Sequence, residues 1–280
     1  MIDTSLKRKR AGGRLLFYLA AVLIALVVCI PFFWMLITSL KSRGAVMSIP
    51  VEWIPKEPTL EAYKKLFSIP NFASSVFNSF YISIVCTAMR LVCAAMAAYA
   101  LTKIRFPGQG GLFKLYLTAL MIPAQITFIP LFIVMTKLHL TNSLNAFILL
   151  QFFNAFAIFM LRQNMMTIND AYMEAARIDG ASHWRIFWNI MLPMCSGTLA
   201  TLAILCFMDL WNDYLLPLVL LTDQGKYPLP ILLSTLSGQY KNQYNLTMAG
   251  SLVSIVPILL VYICAQRYFK EGLNVGGVKG

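Results

Sequence analysis

Six long apolar runs constrain this 280-residue chain more than any other feature of its sequence. A helix needs roughly 20 predominantly apolar residues to cross about 30 Å of hydrocarbon, and each run approaches or exceeds that length. The runs are Leu15–Leu36, Val76–Leu101, Leu112–Met135, Leu144–Leu161, Ser196–Leu221 and Leu246–Ala265. We therefore predict an all-α, polytopic membrane protein with six transmembrane helices.

The composition supports this prediction. The chain is 59% hydrophobic and only 12% charged, whereas about a quarter of the residues in soluble domains are charged. Its 6 cysteines lie in or beside the apolar runs without the paired spacing of a metal site, so we interpret them as small apolar residues. The two histidines, His139 and His183, fall in segments on opposite sides of the membrane. We predict no catalytic, cofactor-binding or metal-binding residues in this chain.

Basic residues in the short connecting segments set the predicted orientation. An even number of spans puts both termini on one side, and that side collects most of the 23 lysines and arginines, including Lys7–Arg10. The apolar run after Lys7–Arg10 is too long for a secretion signal and no cleavage site follows it, so we expect an uncleaved first span. We expect cytoplasmic N- and C-termini, and we attribute the net charge of +12 to topology and anionic lipid rather than nucleic acid.

Segment boundaries follow from the same pattern. We predict a cytoplasmic N-terminus over residues 1–14, a first transmembrane helix over 15–40, an outer loop over 41–71 with a short helix near Glu61–Phe67, a transmembrane core over 72–266 and a cytoplasmic tail over 267–280. Five prolines are expected to kink spans without breaking the membrane assignment. They are Pro31, Pro123, Pro130, Pro217 and Pro257.

A polar loop between the fourth and fifth runs, residues 165–193, carries its own helix signals. Asn169 or Asp170 is placed to cap a short helix over Ala171–Ile178. Gly180 follows that helix and permits a left-handed turn. We predict a first short helix that ends in a glycine bend, and we call residues 165–193 the coupling loop.

The second half of the coupling loop predicts another helix, capped by Ser182 and ended by Pro193. An apolar stripe with i, i+3, i+4 and i+7 spacing runs along it. Its members are Trp184, Phe187, Trp188 and Met191. The residues alone leave two interpretations open, an amphipathic loop lying on lipid or a docking surface for another protein.

Seven residues of the coupling loop stand in a fixed frame. They are Glu174, Ala175, Ala176, Gly180, Ile190, Leu192 and Pro193. This frame resembles the signature of permease subunits of binding-protein-dependent ATP-binding-cassette (ABC) importers, in which Glu-Ala-Ala, three residues, Gly, nine residues, Ile, any residue and Leu-Pro follow one another. Asn169 stands where the family often has a proline, and Arg90 matches no feature of the family that we can place.

Further blocks extend the resemblance to the carbohydrate branch of maltose type, and within it to the smaller six-span permease with the type I importer fold. The blocks are Ala97–Leu101, Arg105–Gly108, Ile178–Ala181, Trp211–Asp213, Pro228–Pro230, Gly238–Tyr240, Gln266–Leu273 and Gly277–Gly280. The resemblance implies four kinds of partner: a second, non-identical permease, two ATP-binding subunits, an extracytoplasmic sugar-binding protein and the lipid membrane. ATP and Mg²⁺ would then be bound by the partner subunits, and no nucleic acid is involved.

The resemblance also implies which residues dock on an ATP-binding subunit. In the coupling loop they are Glu174, Ala175, Ala176, Asp179, Gly180, Ile190, Leu192 and Pro193, and in the tail Glu271, Gly272, Gly277 and Lys279. The chain has no phosphate-binding Walker A motif of its own, because Val278 stands where the lysine after Gly277 is required. ATP must therefore be bound by another polypeptide.

Polar residues within the predicted spans form a second candidate site. They are Arg90, Gln125, Gln151, Asn154, Asp209, Asn212 and Asp213. Asp209, Asn212 and Asp213 have the i, i+3, i+4 spacing of one helix face. Two interpretations stay open: a lining or gate of the translocation pathway, or a hydrogen-bonded packing cluster between helices. The resemblance implies that the partner permease supplies most contacts to the sugar.

Two interpretations also stay open for the outer loop 222–245, which is either a contact with the binding protein or a plain surface loop. Its candidate residues are Tyr227, Gln239, Tyr240 and Tyr244.

These patterns and the resemblance predict a permease subunit of an ATP-driven importer for a di- or oligosaccharide in the bacterial plasma membrane. Glycerol 3-phosphate, another small polyol or an amino sugar is the alternative substrate. A stand-alone secondary transporter is the alternative class, for which inverted repeats and broken helices around a midplane site are typical.

Overall fold

A computed structural model describes residues 2–240 and 243–274, and all regular secondary structure within them is helical. The helices are α1 (Ile2–Ser39), α2 (Glu61–Phe67), α3 (Phe72–Lys103), α4 (Gln109–Leu120), α5 (Ala124–Lys137), α6 (Leu144–Leu150), α7 (Ala155–Met166), α8 (Ala171–Ile178), α9 (His183–Ile186), α10 (Leu192–Met194), α11 (Ser196–Trp211), α12 (Leu215–Leu220), α13 (Leu229–Gln239) and α14 (Tyr244–Asn274). The prediction of an all-α chain is confirmed.

Three helices in the described part of the chain are long and apolar enough to cross a membrane unaided. They contain Leu16–Ser39, Phe72–Lys103 and Tyr244–Cys264. Three further spans arise if each of three bent helix pairs crosses as one unit, which gives up to 6 and agrees with the predicted number. The bent pairs are α4 with α5, α6 with α7, and the segment His183–Met194 with α11.

The third and fourth spans break where the backbone needs another hydrogen-bond partner. Between α4 and α5, which are bent by 104°, Pro123 has no N–H to continue the helical ladder. Between α6 and α7, which are bent by 42°, the side chain of Asn154 accepts a hydrogen bond from Ala157 N–H at 2.8 Å and starts α7 afresh. Asn154 is therefore a helix cap.

The prediction of a continuous fifth span over Ser196–Leu221 is wrong. The helix α11 ends at Trp211 and α12 begins at Leu215, with Pro217 in its first turn. Proline at that position cannot donate to the carbonyl four residues earlier, and its ring would collide with that carbonyl in a continuous helix. The hydropathy of the run conceals this break.

The segment 222–245 is not a plain outer loop, because α13 occupies Leu229–Gln239. Pro230 lies in the first turn of α13, where its missing N–H costs no helical hydrogen bond. The predicted short helix over Glu61–Phe67 is confirmed as α2. The five segment boundaries drawn from the sequence stay predictions.

The described residues form two compact units. The first comprises those up to Ile69 together with Leu236–Val253, and the second comprises Pro70–Thr235 and those from Ser254 onward. In the first unit the end of α1 is fixed to α2 by a hydrogen bond of 2.9 Å between Ser39 and Tyr63.

The second unit is organised around α3, which packs closely on α7 and α11. Ala94, Ala95 and Ala98 give α3 a small, fully buried face there. Small side chains let helix backbones approach closely, which is how helices associate inside a membrane. On α7 and α11 the partners of this face include Leu161 and Leu202, both completely buried.

Candidate functional site

The first helix of the coupling loop has the predicted bounds, Ala171–Ile178. Of the two candidate caps, Asn169 is the one used, and its Oδ1 accepts a hydrogen bond from Ala171 N–H at 3.0 Å. The helix ends in a bend at Gly180, whose φ is +78°. Two backbone hydrogen bonds close the bend, from Gly180 N–H to Arg177 and from Ala181 N–H to Ala176, in the pattern of a glycine-terminated helix.

The second helix of the coupling loop is less regular than predicted. Ser182 caps α9 by accepting a hydrogen bond from Arg185 N–H at 3.3 Å, as expected. The helical path then widens into a π-helical turn over Phe187–Met191 and continues as α10 to Met194. Pro193 therefore does not end the helix. We attribute the wide turn to its missing N–H, which leaves a normal helical bond unmade.

The predicted apolar stripe is divided between two environments. Phe187 and Met191 are buried, but Trp184 and Trp188 are exposed, so the stripe was assigned wrongly as one face. Ile186, which the predicted stripe did not include, is completely buried. The π-helical turn changes the angular position of each following side chain, and the i, i+3, i+4 pattern no longer holds through it.

One face of the coupling loop packs into the transmembrane core. Met173 and Ala176 of α8 are buried in the same apolar cluster as Ile186, Phe187 and Met191. This cluster also contains the small face of α3 and residues of α7 and α11, and Ile190 and Leu192 pack against it half-buried. The coupling loop therefore shares one apolar cluster with three core helices.

The opposite face is exposed. Glu174, Ala175, Asp179, Gly180 and Pro193, all predicted to dock on a partner, are exposed. Of the other predicted docking residues, Ala176 is placed in the interior and contributes packing.

Sequence reasoning missed Ile178, whose 87% exposure is the highest among the large apolar side chains of the coupling loop. The sequence held a signal for it, because Ile178 is a large apolar residue that does not share the helix face of Met173 and Ala176.

Polar contacts hold the start of the coupling loop to the end of α3. Lys103 Nζ donates to Asp170 Oδ1 at 2.6 Å and to the Ile168 carbonyl at 2.8 Å. The hydrogen bond and positive charge of Lys103 lower the pKa of Asp170 below its ordinary value of 3.8. Nearby, Tyr99 on α3 shares a hydrogen bond of 3.1 Å with His183.

A polar cleft of about 520 Å³ opens beside these contacts. Its charged lining residues are Lys103, Arg105, Asp170, Glu174 and Arg177. Glu174 therefore lines a cleft that carries both positive and negative side chains, an arrangement suited to recognition by a charged partner surface.

The intramembrane polar residues gather in one place. A cavity of about 650 Å³ is lined by six of the seven that the sequence indicated: Arg90, Gln125, Gln151, Asp209, Asn212 and Asp213. We call it the polar cavity. The seventh residue, Asn154, is the cap of α7 described above, and Phe128 and Tyr214 add aromatic surface to the lining.

Arg90 is the anchor of the polar cavity. Its side chain is buried and donates to Asp209 Oδ2 at 2.7 Å, to the Gln151 carbonyl at 3.0 Å and to Gln151 Oε1. Asp209 in contrast is exposed over 66% of its side chain. A buried guanidinium needs hydrogen-bond acceptors. These contacts join α3, α11 and the break between α6 and α7.

The prediction that Asp209, Asn212 and Asp213 share one helix face is wrong. Asp209 lies in the last turn of α11, Asn212 caps its end and Asp213 lies in the break before α12. Asp213 Oδ1 instead accepts a hydrogen bond from Leu216 N–H at 3.4 Å, in the first turn of α12. The three residues are brought to the polar cavity by the break in the span.

Asn142 holds the segment that follows α12. Its Oδ1 accepts hydrogen bonds from the N–H groups of Thr222 and Asp223 at 3.2 and 3.0 Å, and its carbonyl accepts one from Lys226 Nζ at 2.8 Å. From α3, Asn78 Nδ2 donates to the carbonyls of the same segment. The first part of the candidate contact with a binding protein is therefore a fixed surface.

Two of the four tail residues predicted to dock on an ATP-binding subunit are among the described residues. Glu271 and Gly272 lie in the last turns of α14, whereas Gly277 and Lys279 lie outside the described residues.

Known proteins resemble this chain over most of its length. The permease protein AraQ of the arabinooligosaccharides transport system of Halalkalibacterium halodurans is 39% identical over 260 residues, which is 92% of this chain and 93% of that protein. The inner membrane ABC transporter permease protein YcjP of Escherichia coli is 32% identical over 97% of this chain and 99% of its own. The probable starch degradation products transport system permease protein AmyC of Thermoanaerobacterium thermosulfurigenes is 33% identical over 92% and 94%.

A solved structure of an ABC transporter also resembles this chain over most of its length. A chain of a bacterial ABC transporter involved in the import of the acidic polysaccharide alginate superposes with a TM-score of 0.81 at 27% identity, covering 91% of this chain and 97% of that one. Residues 90–274 match the family described as binding-protein-dependent transport system inner membrane component. This protein therefore belongs to the family of inner membrane components of binding-protein-dependent transport systems.

Proposed function

We propose that this chain is a non-catalytic permease subunit of an ATP-driven importer in the bacterial plasma membrane and moves a di- or oligosaccharide inward. Its partners are a second, non-identical permease, two ATP-binding subunits that carry ATP and Mg²⁺, and an extracytoplasmic sugar-binding protein. Both termini and the coupling loop face the cytoplasm in this proposal, in accordance with the basic residues of that side.

The observation that carries the proposal is the two-faced coupling loop. Its inner face, with Ile186, Phe187 and Met191, is buried in the transmembrane core, while Glu174 and Ile178 are exposed on the opposite side. A partner that gripped the exposed face and moved would displace α3, α7 and α11 together. Closure of two ATP-binding subunits supplies such a movement, and the permease then exchanges its inward- and outward-facing states.

The relatives support a saccharide as the substrate. Those named for arabinooligosaccharides and for starch degradation products cover more than nine-tenths of this chain at 39% and 33% identity. Glycerol 3-phosphate, another small polyol or an amino sugar is the alternative. The broken helices do not favour a stand-alone transporter, because broken spans are found wherever irregular backbone lines a cavity.

Copurification and reconstitution test this proposal. The chain should bring with it a second permease and an ATP-binding subunit, and in proteoliposomes the sugar-loaded binding protein should raise ATP turnover. Glu174→Lys or Gly180→Pro should leave the chain inserted in the membrane but abolish sugar-dependent ATP turnover. Proline cannot adopt the φ of +78° at position 180, and lysine reverses the charge of the exposed face.

Matched controls separate docking from general damage. Gly108 also has a positive φ, +83°, but lies outside the coupling loop, so Gly108→Pro imposes similar strain elsewhere. Glu57 is an exposed acid in the segment before α2, and Glu57→Lys makes the same charge change there. Both controls should copurify with the ATP-binding subunit. Normal sugar uptake by Glu174→Lys and Gly180→Pro would refute the proposed docking.

A further inference from the structure

The polar cavity is built from interrupted helices. Its lining comes from the start of α5 at Gln125, the break after α6 at Gln151, and the end of α11 with the break at Asn212 and Asp213. Backbone that leaves the helical ladder inside a membrane needs water or protein polar groups as partners, and it is tolerated where it lines a cavity. A role in helix packing alone would not need an open space of about 650 Å³ beside these groups.

The charges of the polar cavity do not suit an anion. Among the described lining residues, Arg90 is the cationic one, and its guanidinium is already engaged by Asp209 and Gln151. Asp209 and Asp213 are the anionic ones, so carboxylates outnumber the guanidinium. An acidic sugar entering here would meet excess negative charge, and like charges that face each other are unfavourable.

The remaining lining has the chemistry that a neutral sugar requires. The exposed side chains of Gln125 and Asn212 both donate and accept hydrogen bonds, and the exposed carboxylate of Asp209 accepts them. Phe128 and Tyr214 offer apolar ring surface for the C–H face of a pyranose or furanose. Ligand sites of about 300–1,000 Å³ commonly combine an apolar wall with a few convergent polar groups.

We infer that this chain itself contacts the transported sugar in the polar cavity, with Asn212, Gln125 and Asp209 as hydrogen-bonding groups, and that the cavity selects uncharged saccharides over acidic ones. The inference rests on the proposed function of the chain in sugar import. Arg90 is a positioning residue in it, because its guanidinium holds the carboxylate of Asp209 and the side chain of Gln151.

Thiol labelling tests the inference in the complete importer. In a variant whose native cysteines are replaced by serine, Asn212→Cys is reconstituted with the partner subunits and binding protein. The probes are two thiol reagents of similar size, cationic aminoethyl methanethiosulfonate and anionic sulfonatoethyl methanethiosulfonate. Because the cavity carries excess carboxylate, we expect the cationic reagent to react about tenfold faster or more. Leu218→Cys on α12, outside the cavity, is the control and should show no such preference.

Protection by sugar completes the test. If maltotriose or arabinotriose raises ATP turnover, that sugar should slow the labelling of Asn212→Cys and leave the labelling of Leu218→Cys unchanged. Gln125→Cys replaces Asn212→Cys as the test position if Asn212→Cys does not fold. Raised ATP turnover without protection, or faster reaction of the anionic reagent, would overturn the cavity inference alone. If neither sugar raises ATP turnover with any variant or with the unmodified chain, the proposed sugar import itself fails.

Discussion

Lys103, at the end of α3, donates a hydrogen bond of 2.6 Å to the carboxylate of Asp170, which precedes α8. The two residues join the central helix of the transmembrane core to the first helix of the coupling loop. Only 5% of the Lys103 side chain is exposed, and its Nζ also donates to the Ile168 carbonyl. A buried ammonium held by two acceptors fixes the place where α8 begins.

Removing this ion pair should loosen the coupling loop without unfolding the core. Asp170→Asn keeps the side-chain shape but leaves the Lys103 ammonium with the Ile168 carbonyl as its partner, so we expect faster hydrogen exchange in α8 and reduced coupling of ATP turnover to uptake. Asp179→Asn removes an exposed carboxylate at the other end of α8 and is the control for exchange. Equal exchange in α8 of Asp170→Asn and the unmodified chain would contradict the assigned role.

The same pair predicts a pH dependence. Because Lys103 lowers the pKa of Asp170 in the folded state, the ionised carboxylate stabilises the fold above the ordinary pKa of 3.8 and this contribution is lost as pH falls through the lowered value. The difference in unfolding midpoint between the unmodified chain and Asp170→Asn should therefore be constant from pH 7 to about 5 and shrink below about pH 4. A difference that shrinks between pH 7 and 6 would show that another group is responsible.

Phe187 should be the main apolar link between the coupling loop and the core. It is 2% exposed and contacts the ring of Tyr99 on α3, at 5.4 Å between centroids. Truncation of a buried phenylalanine costs about 3–5 kcal/mol, so Phe187→Ala should lower the unfolding midpoint in detergent and uncouple transport. Trp188→Ala, at an exposed neighbour, should lower the midpoint much less. Equal effects of the two changes would refute the division into buried and exposed faces.

The ion pair of the polar cavity should respond asymmetrically to substitution. Asp209→Asn leaves a buried guanidinium without its counter-ion, and an unsatisfied buried charged group costs about 1–3 kcal/mol or more. Arg90→Met removes that charge and leaves Asp209, which is 66% exposed, in contact with the open cavity. We expect Asp209→Asn to lower the unfolding midpoint more than Arg90→Met does, and the double variant to recover part of the loss. A larger effect of Arg90→Met would contradict this order.

Asn142 should control the order of the segment after α12. Its φ of +56° is compatible with glycine, so Asn142→Gly preserves the backbone and removes the two hydrogen bonds to Thr222 and Asp223. We expect faster hydrogen exchange at Thr222 and Asp223 and weaker stimulation of ATP turnover by the binding protein. Unchanged stimulation despite faster exchange would remove this segment from the proposed contact with the binding protein.

The local signals of the coupling loop were sufficient to predict α8 and its glycine bend. The cap at Asn169 and the left-handed residue Gly180 depend on neighbours in the chain, which the sequence displays directly. The second helix was predicted less well, because the π-helical turn over Phe187–Met191 shifts the face of every side chain within it. Trp184 and Ile186 precede that turn, and their exposed and buried positions depend on how α9 packs against the core, which the spacing does not show.

The sequence indicated six of the residues that line the polar cavity, but it could not predict the contacts among them. The acceptors that satisfy Arg90 are contributed by Gln151 and Asp209, which are distant in the chain and meet it through the packing of α3 with the later helices. The expected helix face of Asp209, Asn212 and Asp213 assumed an unbroken span, whereas Pro217 separates α11 from α12. A hydropathy average over the apolar run cannot show such a break.

Site-directed cross-linking of the exposed face of the coupling loop tests the central claim most directly. Ile178→Cys and Ala175→Cys, each in a chain without native cysteines, would be labelled with a photoactivatable reagent in the native membrane, with Ile129→Cys on the exposed side of α5 as the control. The account predicts that both coupling-loop positions cross-link to an ATP-binding subunit while the control does not. Cross-links from positions 175 and 178 to phospholipid alone would contradict it.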